Sequence, residues 1–184
     1  RKMLAELVVS AMEDYLRRLG EVEPKDIKMS DAFMERLATL ADLMVSLRTA
    51  PYRSGSVSNA EIGSRLTLQL AHLGTARIIA DERDEWTEED FQFILRVAQD
   101  TLPRHVIQAA LVMYRRDANR PLNAEELSKY ARLPGDCVYA LIPQWLGLGI
   151  LEYAGQTFTH VMLTQEVREQ IDLTGIFANR LPIE

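Results

Sequence analysis

A single cysteine, Cys137, stands in 184 residues, so no internal disulfide can form and no cysteine cluster exists to hold zinc. That usage fits a reducing compartment, and a cytoplasmic location is expected. Long apolar runs are missing too. No stretch approaches the ~20 residues that span a bilayer, so no membrane-spanning helix is expected. Residues 1–19 interleave Glu6, Glu13 and Asp14 with their apolar positions and do not read as a secretory leader. The chain also begins without Met, as an excised fragment or processed chain would. Excess positive charge is absent: 21 basic residues face 27 acidic ones, a net charge of −6, whereas nucleic-acid-binding domains are usually basic. The deficit is steepest from Asp117 to Glu184, where 5 basic residues face 9 acidic ones.

What is present is a globular composition, 47% hydrophobic and 26% charged, long enough for one large domain or two small ones. Apolar residues recur at helical spacing through most of it. Residues 3–19 predict a helix with Leu4, Leu7, Val8, Ala11, Tyr15 and Leu19 on one stripe, closed by Gly20. Ser30 is placed to cap a second helix to Arg48, and residues 49–57, with Pro51 and Gly55, read as a loop. Ser58 or Asn59 opens a third helix to about Ala80, with Ile62, Leu66, Leu70, Leu73 and Ala80 inward. The acidic run from Asp81 to Asp90 lacks the alternating ligands and central glycine of a calcium loop, and reads as a solvated turn and helix start. Thr87 with Asp90 three residues on nearly matches a capping box for the fourth helix. Pro103 suits the first position of a fifth helix, running to about Arg116.

The pattern then changes. Asn123 with Glu126 starts a short helix, residues 132–135 form a tight turn, and Asp136 starts a helix carrying Val138, Leu141, Ile142, Trp145 and Leu146. Pro143 is expected to interrupt or bend that helix, and Gly147 and Gly149 to stop it. Two strands, 150–153 and 157–163, flank a tip at Ala154-Gly155-Gln156, and Thr164 caps a last helix to about Leu173. Helix, helix, turn, helix and hairpin is the order of a winged helix-turn-helix. The expected fold is therefore mainly α: a helical bundle over 1–102, then a winged helix with a small β-hairpin over 103–184.

A recognition helix reads bases with Arg, Lys, Asn or Gln, and takes most of its affinity from cations on phosphates. Asp136 to Leu148 contains no Lys or Arg. Tyr139 and Gln144 are its candidate nucleic-acid contacts, so DNA is the poorer partner and another protein the better one.

The segments "Glu61-Ile-Gly-Ser-Arg65-Leu-Thr-Leu-Gln69-Leu70" and "Trp86-Thr-Glu-Glu-Asp90-Phe" with "Val97-Ala98-Gln-Asp100-Thr101-Leu-Pro103" resemble the C-terminal region of bacterial AAA+ ATPases of the minichromosome-maintenance-like kind. The likeness spans Asp31 to Leu163. It implies a helical lid followed by a winged helix, with Arg65 as the lid arginine, called sensor 2, that contacts the γ-phosphate of ATP. An always-charged, five-donor fork suits that task. The same arginine is also placed for an i,i+4 surface pair with Glu61. The departure from the family is large: the chain has no Gly-rich loop ending in Gly-Lys-Ser/Thr. No cofactor is therefore expected in this chain, and ATP with magnesium would be held by an ATPase core encoded before Arg1.

Arg48, Arg53, Arg65 and Arg77, with Tyr52 among them, are the one basic concentration beside an aromatic, and Arg48 and Arg53 flank Pro51 as candidate phosphate contacts. His72, His105 and His160 are too scattered for a metal site, and Cys137 reads as a small, partly buried thiol. No catalytic residue and no metal ligand is predicted. The expected role is a non-catalytic regulatory module whose partner is an upstream ATPase core or another protein. The alternatives are a stand-alone winged-helix transcription regulator dimerising through its N-terminal helices, and a protein-interaction adaptor.

Overall fold

The computed structural model describes residues 27–48, 63–115, 120–155 and 158–178. The predicted helix over 3–19, the loop at 49–57 with Tyr52 and Arg53, and the cap at Ser58 or Asn59 lie outside the described residues. Among those described, the chain is mainly helical with one small antiparallel sheet. The elements are α1 (Asp31–Arg48), α2 (Gly63–Ala80), α3 (Glu88–Asp100), α4 (Arg104–Arg115), α5 (Ala124–Ala131), α6 (Gly135–Gly147), β1 (Leu151–Tyr153), β2 (Val161–Leu163) and α7 (Gln165–Thr174).

Capping chemistry sets most helix starts. The Ser30 hydroxyl accepts from Phe33 N–H at 3.3 Å, satisfying a donor that the first turn of α1 would otherwise leave free. Asn123 and Glu126 form a reciprocal box: Asn123 accepts from Glu126 N–H at 2.9 Å and Glu126 accepts from Asn123 N–H at 3.0 Å. Pro103, expected as the first helical residue, stands one place before α4, which begins at Arg104, and its carbonyl accepts from Ile107 N–H. Pro134 is the N-cap of α6, two residues ahead of the predicted Asp136.

In the first part of the fold, α1 and α3 run parallel and α2 antiparallel between them. Arg36 near the start of α1 meets Glu88 at the start of α3, and Arg48 at the end of α1 meets Thr101 after its end. Arg77 near the end of α2 meets the start of α3. The chain leading into α1 is pinned beside the α2–α3 turn, where Lys28 N–H donates to Asp84 O and Trp86 N–H to Lys28 O. The buried stripe of α2 is Leu66, Leu70, Gly74 and Ile78. Leu73, expected inward, is 37% exposed. The helix is rotated so that Gly74, with no side chain, lets the Trp86 ring seat against its backbone, and a Cβ there would overlap that ring. Trp86 is buried and braced by Phe33, so it cannot step aside cheaply. Gly74→Ala is therefore expected to lower stability by about 1–2 kcal/mol: overpacking costs ~1–3 and better helix propensity returns up to ~1. A urea midpoint measured on the variant checks this.

After α4 the chain makes a single-residue antiparallel bridge, Leu122 to Val161, before α5. Arg132 closes α5 in the left-handed conformation at φ 52°, and Ser128 is hydrogen-bonded at both ends to Leu133, which makes the turn into α6 tight. The sequence reading needs two corrections here. Helix α6 runs without interruption through Pro143, which lies in its C-terminal half and removes only one ladder donor. The second strand begins at Val161, not Thr157; Phe158 and Thr159 form a turn, and Ala154 N–H donates to His160 O across a longer tip than expected. Gln156 and Thr157 lie outside the described residues. In the sheet Leu151 pairs with Leu163, Glu152 with Met162 and Tyr153 with Val161.

Helix α7 returns to pack against α1. It brings Asp172 to the Tyr114 hydroxyl, which donates to its carboxylate and is held above the ordinary tyrosine pKa by it. Beyond α7, Gln99 donates to Ile176 O and Arg115 to Phe177 O. Buried side chains on both sides of residue 102 thus belong to one core.

Candidate functional site

Three features bear on function: an ion-pair lock between α2 and α3, a cleft at the far end of the same helices, and the outward side of α6 with the hairpin.

The lock centres on Asp90, which is fully buried and corrects the expectation of a solvated acidic run. Arg83 grips it with both guanidinium arms, at 2.6 and 2.8 Å. Thr87 donates to it from its backbone N–H at 2.9 Å and its hydroxyl at 2.8 Å, and Arg77 Nε lies 3.6 Å away. The Arg83 hydrogen bonds, aided by those from Thr87, hold the Asp90 carboxyl down at about 2, because each donor stabilises the charged form. Arg83 is correspondingly held above its ordinary range by Asp90 and then Asp81. Beside the lock, Arg36 forks onto Glu88 at 2.6 and 3.0 Å and stacks over the Phe91 ring at 3.8 Å, and this pairing lowers the Glu88 pKa. These cations are spent on the fold. Arg77 in particular is not available as a phosphate contact: it also donates to Glu89 O and pairs with Asp81.

At the opposite end, α1, α2 and α3 enclose a cleft of about 260 Å³. Met44, Leu66, Leu70, Leu73, Val97 and Ala98 form its walls, and Arg48, Gln69 and Thr101 supply its polar atoms. It is smaller than the ~300–1,000 Å³ of drug-sized ligand sites. Arg48 donates to the Thr101 hydroxyl. Arg65 stands at the same end of the bundle, in the first turn of α2, exposed and outside the lining of the cleft. It has no hydrogen bond or ion pair among the described residues. Glu61, its expected helix partner, and Arg53 lie outside them. The structure thus brings Arg48 and Arg65 to one end of the bundle and ties Arg77 down at the other.

The remaining candidates divide. Tyr139 is 60% exposed on α6, while Gln144 is half-buried. Five helical residues separate them, about 140° around the axis, so they do not share a face. The outward residues of α6 are Asp136, Tyr139, Ala140, Pro143 and Gly147. His72, His105 and His160 sit on α2, α4 and the hairpin, and no group of three or more His, Cys, Asp or Glu among the described residues could hold a metal ion. Cys137 is half-buried in the first turn of α6. No described helix is long and apolar enough to cross a membrane.

No protein-family model, curated protein or solved structure matches the chain.

Sequence reasoning missed the Arg83–Asp90 pair and the pairing of Tyr153 with Phe158. The capping pattern had already assigned Asp90 to the backbone of Thr87, and nothing local marks an arginine seven residues earlier as its main partner. An exposed aromatic pair across a hairpin becomes visible only once the register is known.

Proposed function

We propose that the chain is the non-catalytic regulatory module of a bacterial AAA+-type ATPase, a lid-like helical bundle followed by a winged helix. Arg65 carries the reading. The other described arginines of the bundle are engaged: Arg36 with Glu88, Arg48 with Thr101, Arg77 and Arg83 with Asp90, and Arg96 with Gln92 O. Arg65 alone among them stands exposed without a partner among the described residues, in the first turn of a long helix beside a cleft. A guanidinium so placed meets phosphate oxygens without first giving up a partner. The chain lacks a phosphate loop, so ATP and its magnesium would be held by an upstream core, and Arg65 would report the γ-phosphate from across the interface. Helix α4, the Leu122 bridge, α5, the turn, α6 and the hairpin support the winged-helix half. The absence of any cation on the outward residues of α6 favours a protein over DNA as the wing's partner.

In the intact parent protein, Arg65→Ala is expected to slow ATP turnover about tenfold, ~1.4 kcal/mol of transition-state stabilisation, with helical content by circular dichroism unchanged. Unchanged turnover, or an intact parent with no ATPase activity, overturns the reading.

A further inference from the structure

We propose that the outward face of α2 pairs with the same face of a second copy of this chain, the two helices lying antiparallel across a two-fold axis. The proposal goes beyond the reading above and does not rest on it.

Helix α2 packs chiefly on α1 and α3, through Leu66, Leu70, Gly74 and Ile78. Its other side lacks the charge that its neighbours carry. Between Arg65 and Arg77 the helix has no Lys, Arg, Asp or Glu, although Leu68 is 59% exposed and Gln69, His72, Leu73 and Ala76 are exposed beside it. The solvated residues of α1 include Asp31, Glu35 and Asp42, and those of α3 include Glu88, Glu89, Arg96 and Asp100. A helix that is apolar on both sides is normally covered on both.

Spacing selects what covers it. Arg65, Leu68, His72, Thr75 and Ile79 follow one another at alternating steps of three and four, the seam of a two-helix coiled coil. The next place on that seam falls at Glu82, in the turn after the helix. These six positions match their own reverse. With two copies antiparallel and His72 beside Thr75, Leu68 meets Ile79 and Arg65 meets Glu82, and each pair occurs twice, as a two-fold contact requires. Ala71 and Ala76 flank the seam and let the backbones approach.

Charge fixes the direction. Arg65 is exposed and pairs with no described acid, and Glu82 is exposed and pairs with no described cation. The cations near Glu82 are otherwise placed: Arg77 and Arg83 hold Asp81 and Asp90, and Lys28 is bonded through its backbone to Asp84. Antiparallel pairing brings each arginine to the other copy's glutamate, whereas parallel pairing sets like charge against like. The 18-residue helix is about 27 Å long. One such face buries less than the ~800 Å² per partner of stable complexes, so the pair dissociates at roughly tens of micromolar. Within it Arg65 is covered, so pairing and phosphate contact are alternative uses of that side chain.

Sedimentation equilibrium of the 184-residue chain across and above that concentration is expected to show monomer and dimer exchanging. Leu68→Glu, which sets a carboxylate against Ile79 of the other copy, is expected to weaken the dimer at least tenfold, with circular dichroism unchanged. Arg65→Glu and Glu82→Arg should each weaken it several-fold, and the two together should restore it. Glu35→Lys on α1 should leave it unchanged. A chain that stays monomeric, as when another segment or a different protein covers α2, overturns the proposal. So does a dimer that survives Leu68→Glu, or a charge exchange that fails to restore pairing. Leu68→Glu leaves Arg65 in place, so its outcome is independent of the nucleotide reading.

Discussion

Replacing Asp90 with alanine is expected to lower the stability of the chain by about 3 kcal/mol. Removing one partner of a buried ion pair strands the others, a loss of ~3–5 kcal/mol where burial is complete. Asp90 is completely buried, but Arg83 and Arg77 remain 31% and 30% exposed, so water takes up part of the deficit and the lower end applies. The same residue sets an acid limit. Its folded pKa of about 2 lies below the ordinary 3.8, so the unfolded chain takes up the proton first as pH falls. The stabilisation is fully present above about pH 5 and drains away as pH drops through 3.8 towards 2. The shift corresponds to at most ~2.4 kcal/mol, reduced by solvent screening of the arginines to about 1–2. Melting temperatures followed by circular dichroism between pH 7 and 2 should fall less steeply for Asp90→Asn than for the native chain. Identical acid slopes would mean the lock does not hold the carboxylate in its charged form. Glu88, lowered by Arg36, adds to the slope in the same direction.

Local signals and long-range ones differed sharply in how legible they were. Ser30, Thr87, Asn123 and Thr164 each predict a helix start through hydroxyl or amide capping chemistry, and α1, α3, α5 and α7 begin at the next residue. The order of helices and hairpin followed from apolar period and turn residues in the same way. What failed needed a partner from another element. Leu73 and Gly74 are neighbours on α2, and only the arrival of Trp86 decides that glycine faces inward and leucine outward. Asp90 reads as a surface acid until Arg83 is brought back to it through a turn that includes Glu82 at φ 54°. The hairpin misled differently: threonines alternating with Phe158 and His160 imitate a strand, yet Phe158 and Thr159 form a turn and the paired strand begins only at Val161. Of the candidate site residues, the uncharged character of α6 was open to inspection in the chain. The exposure of Arg65 and the engagement of Arg77 were not, because both depend on which side of α2 faces α3.

Trp145→Ala is expected to be the most damaging single change in the second part of the fold, about 4 kcal/mol, while Tyr139→Ala on the same helix should stay within ~0.5. Trp145 is 1% exposed and lies on the buried stripe of α6 with Val138 and Leu141. Truncating a buried large aromatic leaves a cavity that the surrounding side chains fill only in part, at ~3–5 kcal/mol. Its backbone carbonyl, which alanine keeps, accepts from Ile150 N–H, so the cost reports the lost side-chain packing. Tyr139 points to solvent and loses almost no packing. Urea unfolding of both variants, followed by circular dichroism because Trp145 is itself a fluorophore, gives the two values directly. Equal costs would mean that α6 packs through a different face, and the outward surface assigned to it would be wrong. A large cost at Trp145 beside a small one at Tyr139 would mean that α6 holds the fold through Val138, Leu141 and Trp145, with Tyr139 dispensable to it.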